Sequence, residues 1–508
     1  MTRRKVLAVT TSPLPYRGQI TDGPGYRMWN LLHAISPDHE VRVLSLYESF
    51  HMGQRDLNPV SENGIVIERP GFSPSGIATR LRAWAPDVLY LPWSSLPFIG
   101  DANHDVPTLL DYVGPGLLEE FVGRGRVPLA LLRLQLRSFW AGDRFLATTQ
   151  RERYYLIGLL AASKRLSTGD FRPDDPLVHL ARITPPPEPP SAREALPRKH
   201  DDELVVLVAG AFLPWYDYQR LVDAALQMER EGSRIRLLVI GGNPRNAEAA
   251  ARIRTLFDGL RARSLAEVHD LVPFDQRGAY YAAADVGLIV PPNSVEDELS
   301  ARTRIVDYLW ARLPIVSPGK DEYSALVLDA SAGFRYDPEA GGLPGVLGHL
   351  AMNRVAIADA KSRIPSLVAG PFDPRTALKP AMDFIEDPRI TRRTRRRLMT
   401  EKLLAELWDL ARGVRRWTKD EAANHERLPM GAGDRPRHPS RPRSHYGASV
   451  GHVRILRHRP DDPSRARLLW SHGVLISARV GGIPRSCRRL LSPPCGSMGR
   501  SSHYERSR

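Results

Sequence analysis

Residues 296–319 read EDELSARTRIVDYLWARLPIVSPG. Acids and arginines come first, then Ile305, Tyr308 and Leu309 at helical spacing, then a short apolar run at 315–316 closed by Pro318 and Gly319. A polar approach, a helix over 301–310 and a short buried strand form one unit of a parallel sheet covered by helices. The polar end of such a helix suits an anionic or hydroxyl-rich ligand, because free N–H groups and the helix dipole favour negative charge there. Ser300 is the candidate N-cap. Arg304 and Asp307, three apart, share a face, either as a surface ion pair or as part of a site.

The alternation extends outward. Residues 204–209, 237–240, 268–272 and 286–290 are strand candidates, with helices over 218–228, 247–260 and 277–284, so 201–388 reads as one α/β domain. A similar series precedes it: strands at 6–9, 40–46, 65–67, 88–91, 108–111 and 145–148, with helices around 28–35, 129–140 and 151–160. Residues 1–183 therefore form a second doubly wound domain. Between them 184–200, TPPPEPPSAREALPRKH, is dense in proline and charge, as suits a linker. Paired sheets of this kind bind ligands in the crevice at the carboxyl ends of their strands.

Composition narrows the class. A chain of 508 residues exceeds one core, and no run approaches the roughly 18 uninterrupted apolar residues of a membrane span. Pro13 and Pro15 interrupt the apolar start before a signal-peptide core develops, so the chain reads as soluble. Cys487 and Cys495 are the only cysteines, which leaves no disulfide framework or cysteine metal site. The net charge of +15 is uneven: 17 arginines against six acids after residue 420 give +11 there, leaving +4 for everything before. Residues 389–417 form a basic helix candidate, either a solvated face or an attachment to an anionic membrane. Residues 418–508 lack periodicity and are predicted to be disordered. Their arginine- and histidine-rich, lysine-free composition fits out-of-frame reading of GC-rich DNA as well as a nucleic-acid arm, and no stacking pattern supports specific nucleic-acid binding.

Gly23 and Gly25 flank Pro24 between the first strand and its helix, where backbone N–H groups can approach a phosphate; Asp22 is a candidate cap and Arg27 a candidate ion-pair partner. The third glycine of a dinucleotide fingerprint is replaced by Met28. Phe212 and Trp215 follow the 204–209 strand and either line the crevice or pack the domain. Glu298, Arg302, Arg304 and Asp307 form the densest charge constellation.

The segments GPGYRMWNLLHAISPDHEVRVL, LVVLVAGAFLPWYDYQRLVDAA, VPFDQRGAYYAAADVGLIVPP and ELSARTRIVDYLWARLPIV make residues 3–417 resemble bacterial glycosyltransferases of the GT-B fold, family 4. The resemblance implies transfer of a hexose from a nucleotide-sugar donor to a glycan, lipid-linked or small-molecule acceptor, with retention of configuration. It also implies a cytoplasmic protein of polysaccharide biosynthesis with no cofactor beyond the co-substrate. The basic 389–417 helix candidate offers peripheral contact with the inner membrane face, and with cations at the diphosphate and no metal-ligand cluster in the sequence no metal is expected. The resemblance places Asp307 at the second of two family glutamates, the ribose ligand, and Leu299 at the first, next to Glu298. Arg312 stands where a glycine is common, GAFLPWYDYQ lacks the usual Arg and Lys pair, and DVLYLPWSSLPF lacks a histidine. Arg302 or Arg304 is then the diphosphate cation, with the N–H groups of Gly23 and Gly25 beside it. Asp111 is the candidate first-domain carboxylate of the crevice, or a loop residue. The alternative is a catalytically silent binding protein of the same fold, which the displaced glutamate favours.

Overall fold

The computed structural model describes residues 2–16, 18–54, 56–71, 73–99, 105–166, 176–191, 196–197, 200, 202–243, 247–291 and 294–391. The basic helix predicted over 389–417 and the tail after it fall almost wholly outside them.

The first sheet has eight strands: β1 Lys5–Thr10, β2 Glu40–Ser45, β3 Leu57–Glu62, β4 Ile65–Arg69, β5 Val88–Pro92, β6 Thr108–Tyr112, β7 Arg144–Ala147 and β8 Val178–Leu180. Their order is β3-β4-β2-β1-β5-β6-β7-β8, parallel except for the β3–β4 hairpin. The inner strands are apolar on both faces because helices cover both. The hairpin turns through Asn63 and Gly64, both at positive φ, the conformation an Asn-Gly turn demands. The second sheet has six strands: β9 Leu204–Ala211, β10 Ile235–Gly242, β11 Ala266–His269, β12 Val286–Leu288, β13 Ile315–Ser317 and β14 Gly333–Arg335. They run all-parallel in the order β11-β10-β9-β12-β13-β14.

Both orders reverse at one point, between β1 and β5 and between β9 and β12. Loops leaving neighbouring strands diverge there and open a crevice. The two carboxyl edges face each other. Gly23, after β1, lies against Thr303, after β12, and Gly123, after β6, lies against the indole of Trp215, after β9. Arg151, after β7, donates its backbone N–H to Glu322 Oε2, after β13, at 3.1 Å.

Several boundaries move. The helix predicted over 301–310 is Thr303–Trp310, and Ser300 does not cap it: Ser300 closes a short helix, Val295–Leu299, and its hydroxyl donates to Glu296 Oε1 at 2.6 Å. The helix over 247–260 breaks at Phe257 into Ala247–Leu256 and Asp258–Ala262, and the 268–272 strand lies earlier, at β11. The helix Lys379–Glu386, inside the domain predicted to run to 388, packs on the first domain. Leu378, Ala381, Phe384 and Ile385 are buried with Met28, Leu31, Ile35 and Val41. Arg4 Nη2 holds the carbonyl of Glu386 at 3.1 Å, and Thr391 N donates to Asp143 Oδ1 at 2.8 Å. The apolar face of this helix is legible in the sequence, whereas the sheet it covers is not.

Candidate functional site

Arg302 and Arg304 are two residues apart and do different work. Arg302 is buried, and its Nη2 pairs with Glu296 Oε2 at 3.0 Å and Asp297 Oδ1 at 2.8 Å, while Nη1 donates to the Tyr216 hydroxyl at 2.7 Å. Its charge is neutralised inside the protein. Burial pushes Asp297 up to about 6 even with Arg302 pulling the other way. Arg304, half-buried, lays its guanidinium 4.9 Å over the Tyr216 ring and against Gly210. No hydrogen bond or ion pair engages that guanidinium among the described residues. Gly210 sits at φ +114°, and a Cβ there would come within 3.3 Å of Arg304 Nη2. Glycine is what lets β9 end this close to the cation.

The helix Thr303–Trp310 has no side-chain cap; Ile305 N donates to the Arg302 carbonyl at 2.9 Å, and the N–H groups of Thr303 and Arg304 have no acceptor among the described residues. Asp307, one turn further, pairs with Arg277 Nη2 at 3.2 Å and lies 3.4 Å from the Tyr281 hydroxyl. Of the two readings of Arg304 and Asp307, the surface ion pair does not form: Asp307 pairs instead across 30 residues, with Arg277. Arg277 lies over the rings of Phe274 and Trp310, 3.3 and 4.1 Å from their centroids. Burial raises the Asp307 carboxyl, with Arg277 opposing.

On the first-domain side, Asp22 does cap the helix Gly23–Ile35. Its Oδ1 accepts from Gly25 N at 2.8 Å and its carbonyl from Tyr26 N at 2.9 Å, so the Gly25 N–H expected at a phosphate is already engaged. Gly25 serves close packing: a Cβ would stand 2.0 Å from the Pro13 carbonyl oxygen. Gly23 faces Thr303, 3.2 Å from where its own Cβ would be, so two helix N-termini oppose each other across the crevice. Arg27 and Asp111 form a buried pair, 3.0 Å from Nε to Oδ2, with the Tyr90 hydroxyl 2.5 Å from the same oxygen and Arg27 Nη1 on the Arg182 carbonyl at 2.8 Å. Exposed by 1% and 2%, they brace the first domain's edge rather than open to a ligand.

Phe212 is core, stacked edge-on against Tyr218 at 5.5 Å and filling the space a side chain on Gly241 would need. Trp215 spans the junction to Gly123, and Tyr216 meets the arginines. Glu298 is exposed to solvent, and among the described residues only its carbonyl is engaged, by Arg151 Nη1 at 3.2 Å.

Sequence reasoning missed the acids that do face the junction. Glu152 Oε1 accepts from Gly114 N at 2.9 Å and, across the domains, from Ala301 N at 3.3 Å; Oε2 accepts from Thr148 N at 2.9 Å. Burial pushes Glu152 up to about 7 against these donors. Glu119 lies over Gly114, and burial followed by the charge of Glu296 pushes it up to about 8. One signal was available: Thr149 and Glu152 stand at capping-box spacing, and Thr149 Oγ1 accepts from Glu152 N at 3.0 Å.

No protein-family model matches the chain, and no curated protein matches it in sequence. Solved structures do. Sucrose-phosphate synthase from Thermosynechococcus elongatus covers 76% of this chain and 99% of its own at 13% identity, TM-score 0.57. Anabaena HepE in complex with UDP and glucose covers 76% and 100% at 13% identity, TM-score 0.54. A UDP-forming trehalose-phosphate synthase from Burkholderia xenovorans covers 76% and 99% at 10% identity, TM-score 0.56. Identities this low carry the architecture and nothing finer. With two facing α/β domains, and a chain that ends its described course on the first, this protein has the GT-B fold of those glycosyltransferases.

Proposed function

We propose that the protein is a glycosyltransferase that takes a hexose from a nucleoside-diphosphate sugar and passes it to a glycan, lipid-linked or small-molecule acceptor. The observation that carries the reading is Arg304, a cation without an acidic partner among the described residues, beside an uncapped helix N-terminus at the junction of the two domains. The hard step is departure of the diphosphate from the anomeric carbon. The Arg304 guanidinium and the N–H groups of Thr303 and Arg304 at the start of the helix are preorganised donors for the charge that develops on the leaving oxygen. Asp307 would accept the ribose hydroxyls, with Arg277 holding its carboxylate in place. Arg302 would act as a positioning residue, since its hydrogen bonds to Glu296 and Asp297 fix the turn that leads into the helix. The donor is a co-substrate, and the reading calls for no other cofactor. HepE, solved with UDP-glucose, makes UDP-sugars the first donors to try.

A silent binding protein of the same fold is favoured by one observation: Glu298, beside the position of the first family glutamate, points to solvent. Calorimetric titration with UDP-, GDP- and dTDP-sugars, followed by donor-hydrolysis assays, separates the two. The transferase reading expects saturable binding of one donor class and slow release of its nucleotide. Binding without turnover, with any acceptor offered, assigns the silent role; no binding of any donor sinks both.

A further inference from the structure

We infer that the outer face of residues 121–137 docks on an anionic lipid bilayer. The helix Leu129–Ala141 buries Leu134, Gln135, Ser138 and Phe139, yet Leu129, Leu132 and Leu136 are 60%, 37% and 39% exposed on its other side. Those leucines and Arg133 and Arg137 fall at i, i+3, i+4, i+7 and i+8, one continuous outward stripe. A helix whose outer face meets only water carries polar residues there. Phe121 and Val127, 55% and 37% exposed, lie just ahead in the chain. Five of the eleven large exposed apolar side chains of the described residues thus fall in 16 positions, a density that marks a contact surface.

Charge identifies the occupant. Residues 121–142 contain Arg124, Arg126, Arg133 and Arg137 and no acid. Arg124 pairs with Glu120 at 3.1 Å, whereas Arg126, Arg133 and Arg137 make no ion pair among the described residues. Leucines interleaved with unpaired arginines suit an anionic bilayer interface, where the apolar chains enter and the guanidinium groups stay at the headgroups. A second copy of the same face would set these arginines against one another.

The face borders the crevice, because Gly123 packs against Trp215 of the second domain. If the transferase reading holds, the acceptor class this selects is a lipid-anchored one; the docking itself does not rest on that reading.

The full chain is tested by flotation with phosphatidylglycerol and with phosphatidylcholine vesicles. The net charge of +11 after residue 420 would attract anionic vesicles on its own, so a local readout is needed: Leu132→Trp, with brominated acyl chains as quencher and the unmodified chain as baseline. Flotation with phosphatidylglycerol alone is expected, with added quenching in the tryptophan variant. Leu129→Ser/Leu132→Ser/Leu136→Ser should lower partition roughly tenfold or more at an unchanged melting temperature. Arg126→Gln/Arg133→Gln/Arg137→Gln should do the same and reduce the salt dependence. No added quenching in the Leu132→Trp variant, or quenching that the Arg126→Gln/Arg133→Gln/Arg137→Gln background leaves unchanged, would overturn the proposal. So would a lipid-free dimer by sedimentation equilibrium that the serine variant abolishes, since a second copy would then own the face. Nucleotide-sugar turnover is not a readout, so failure of the transferase reading leaves this result standing.

Discussion

Arg302 and Arg304 differ in what removing them leaves behind. Arg304→Gln deletes a guanidinium that bonds to nothing among the described residues, so unfolding free energy should change by less than about 1 kcal/mol, the worth of its stacking on Tyr216. On the transferase reading, affinity for the nucleotide sugar should fall by about tenfold or more, as for a lost charged hydrogen bond. Arg302→Gln leaves Glu296 and Asp297 unpaired in a buried site and should cost about 3–5 kcal/mol in urea unfolding. Equal stability losses in the two variants would contradict this division of roles. The sequence marks both arginines and cannot divide them. The division is made by the short helix Val295–Leu299, which turns Glu296 and Asp297 inward and Glu298 out, and nothing in EDEL fixes that rotation. Asp307 stands out in the sequence as the one acid of its helix; its partner Arg277, on another element, does not.

At the scale of elements, legibility followed burial. Strands with near-continuous apolar runs stand where the pattern placed them. β3, β8 and β14 were missed: LNPVSE carries a proline and no buried side chain, and the other two span three residues each. The N-terminus of Gly23–Ile35 looked like a phosphate cradle, but the glycine that closes it is there for packing. Gly25→Ala should therefore destabilise by about 3 kcal/mol or more in urea unfolding, since backbone must move to relieve a 2.0 Å approach to Pro13. A neutral result would show that the 11–22 loop shifts freely. The crossing helix makes a parallel claim. Phe384→Ala, in a core shared with Met28 and Leu31, should cost about 3 kcal/mol. The loss should appear as weakened amide protection in β1 and β2 rather than in β9 and β10, the reverse of what a second-domain helix would give.

For the whole molecule, the two domains meet through carboxyls: Glu152 and Glu296 are buried and Glu119 is half-buried. Glu119, Glu152 and Glu296 lie at the junction; burial and then the charge of Glu296 push Glu119 up to about 8 with Arg302 opposing, and burial pushes Glu152 up to about 7 against its hydrogen-bond donors. A carboxyl whose folded pKa exceeds its unfolded one, 4.5 here, makes the folded state bind more protons than the unfolded. Its stabilising contribution is full below about 4.5 and is lost as pH rises through about 8. Burial lowers His33 and His39, and such groups act in the opposite sense, adding stability as pH rises through the ordinary histidine range. The raw melting curve therefore mixes the two. Comparison with Glu119→Gln isolates the junction: the amide keeps the shape over Gly114 and cannot ionise. The variant should match the parent near pH 5 and melt progressively higher than it towards pH 8. In the parent, amide exchange around Gly114 and Ala301, whose N–H groups both rest on Glu152, should accelerate over the same interval beyond its intrinsic pH dependence. A melting difference that is constant across the range, or that grows towards acid, would mean that Glu119 is ionised in the closed molecule and that the junction tolerates its charge.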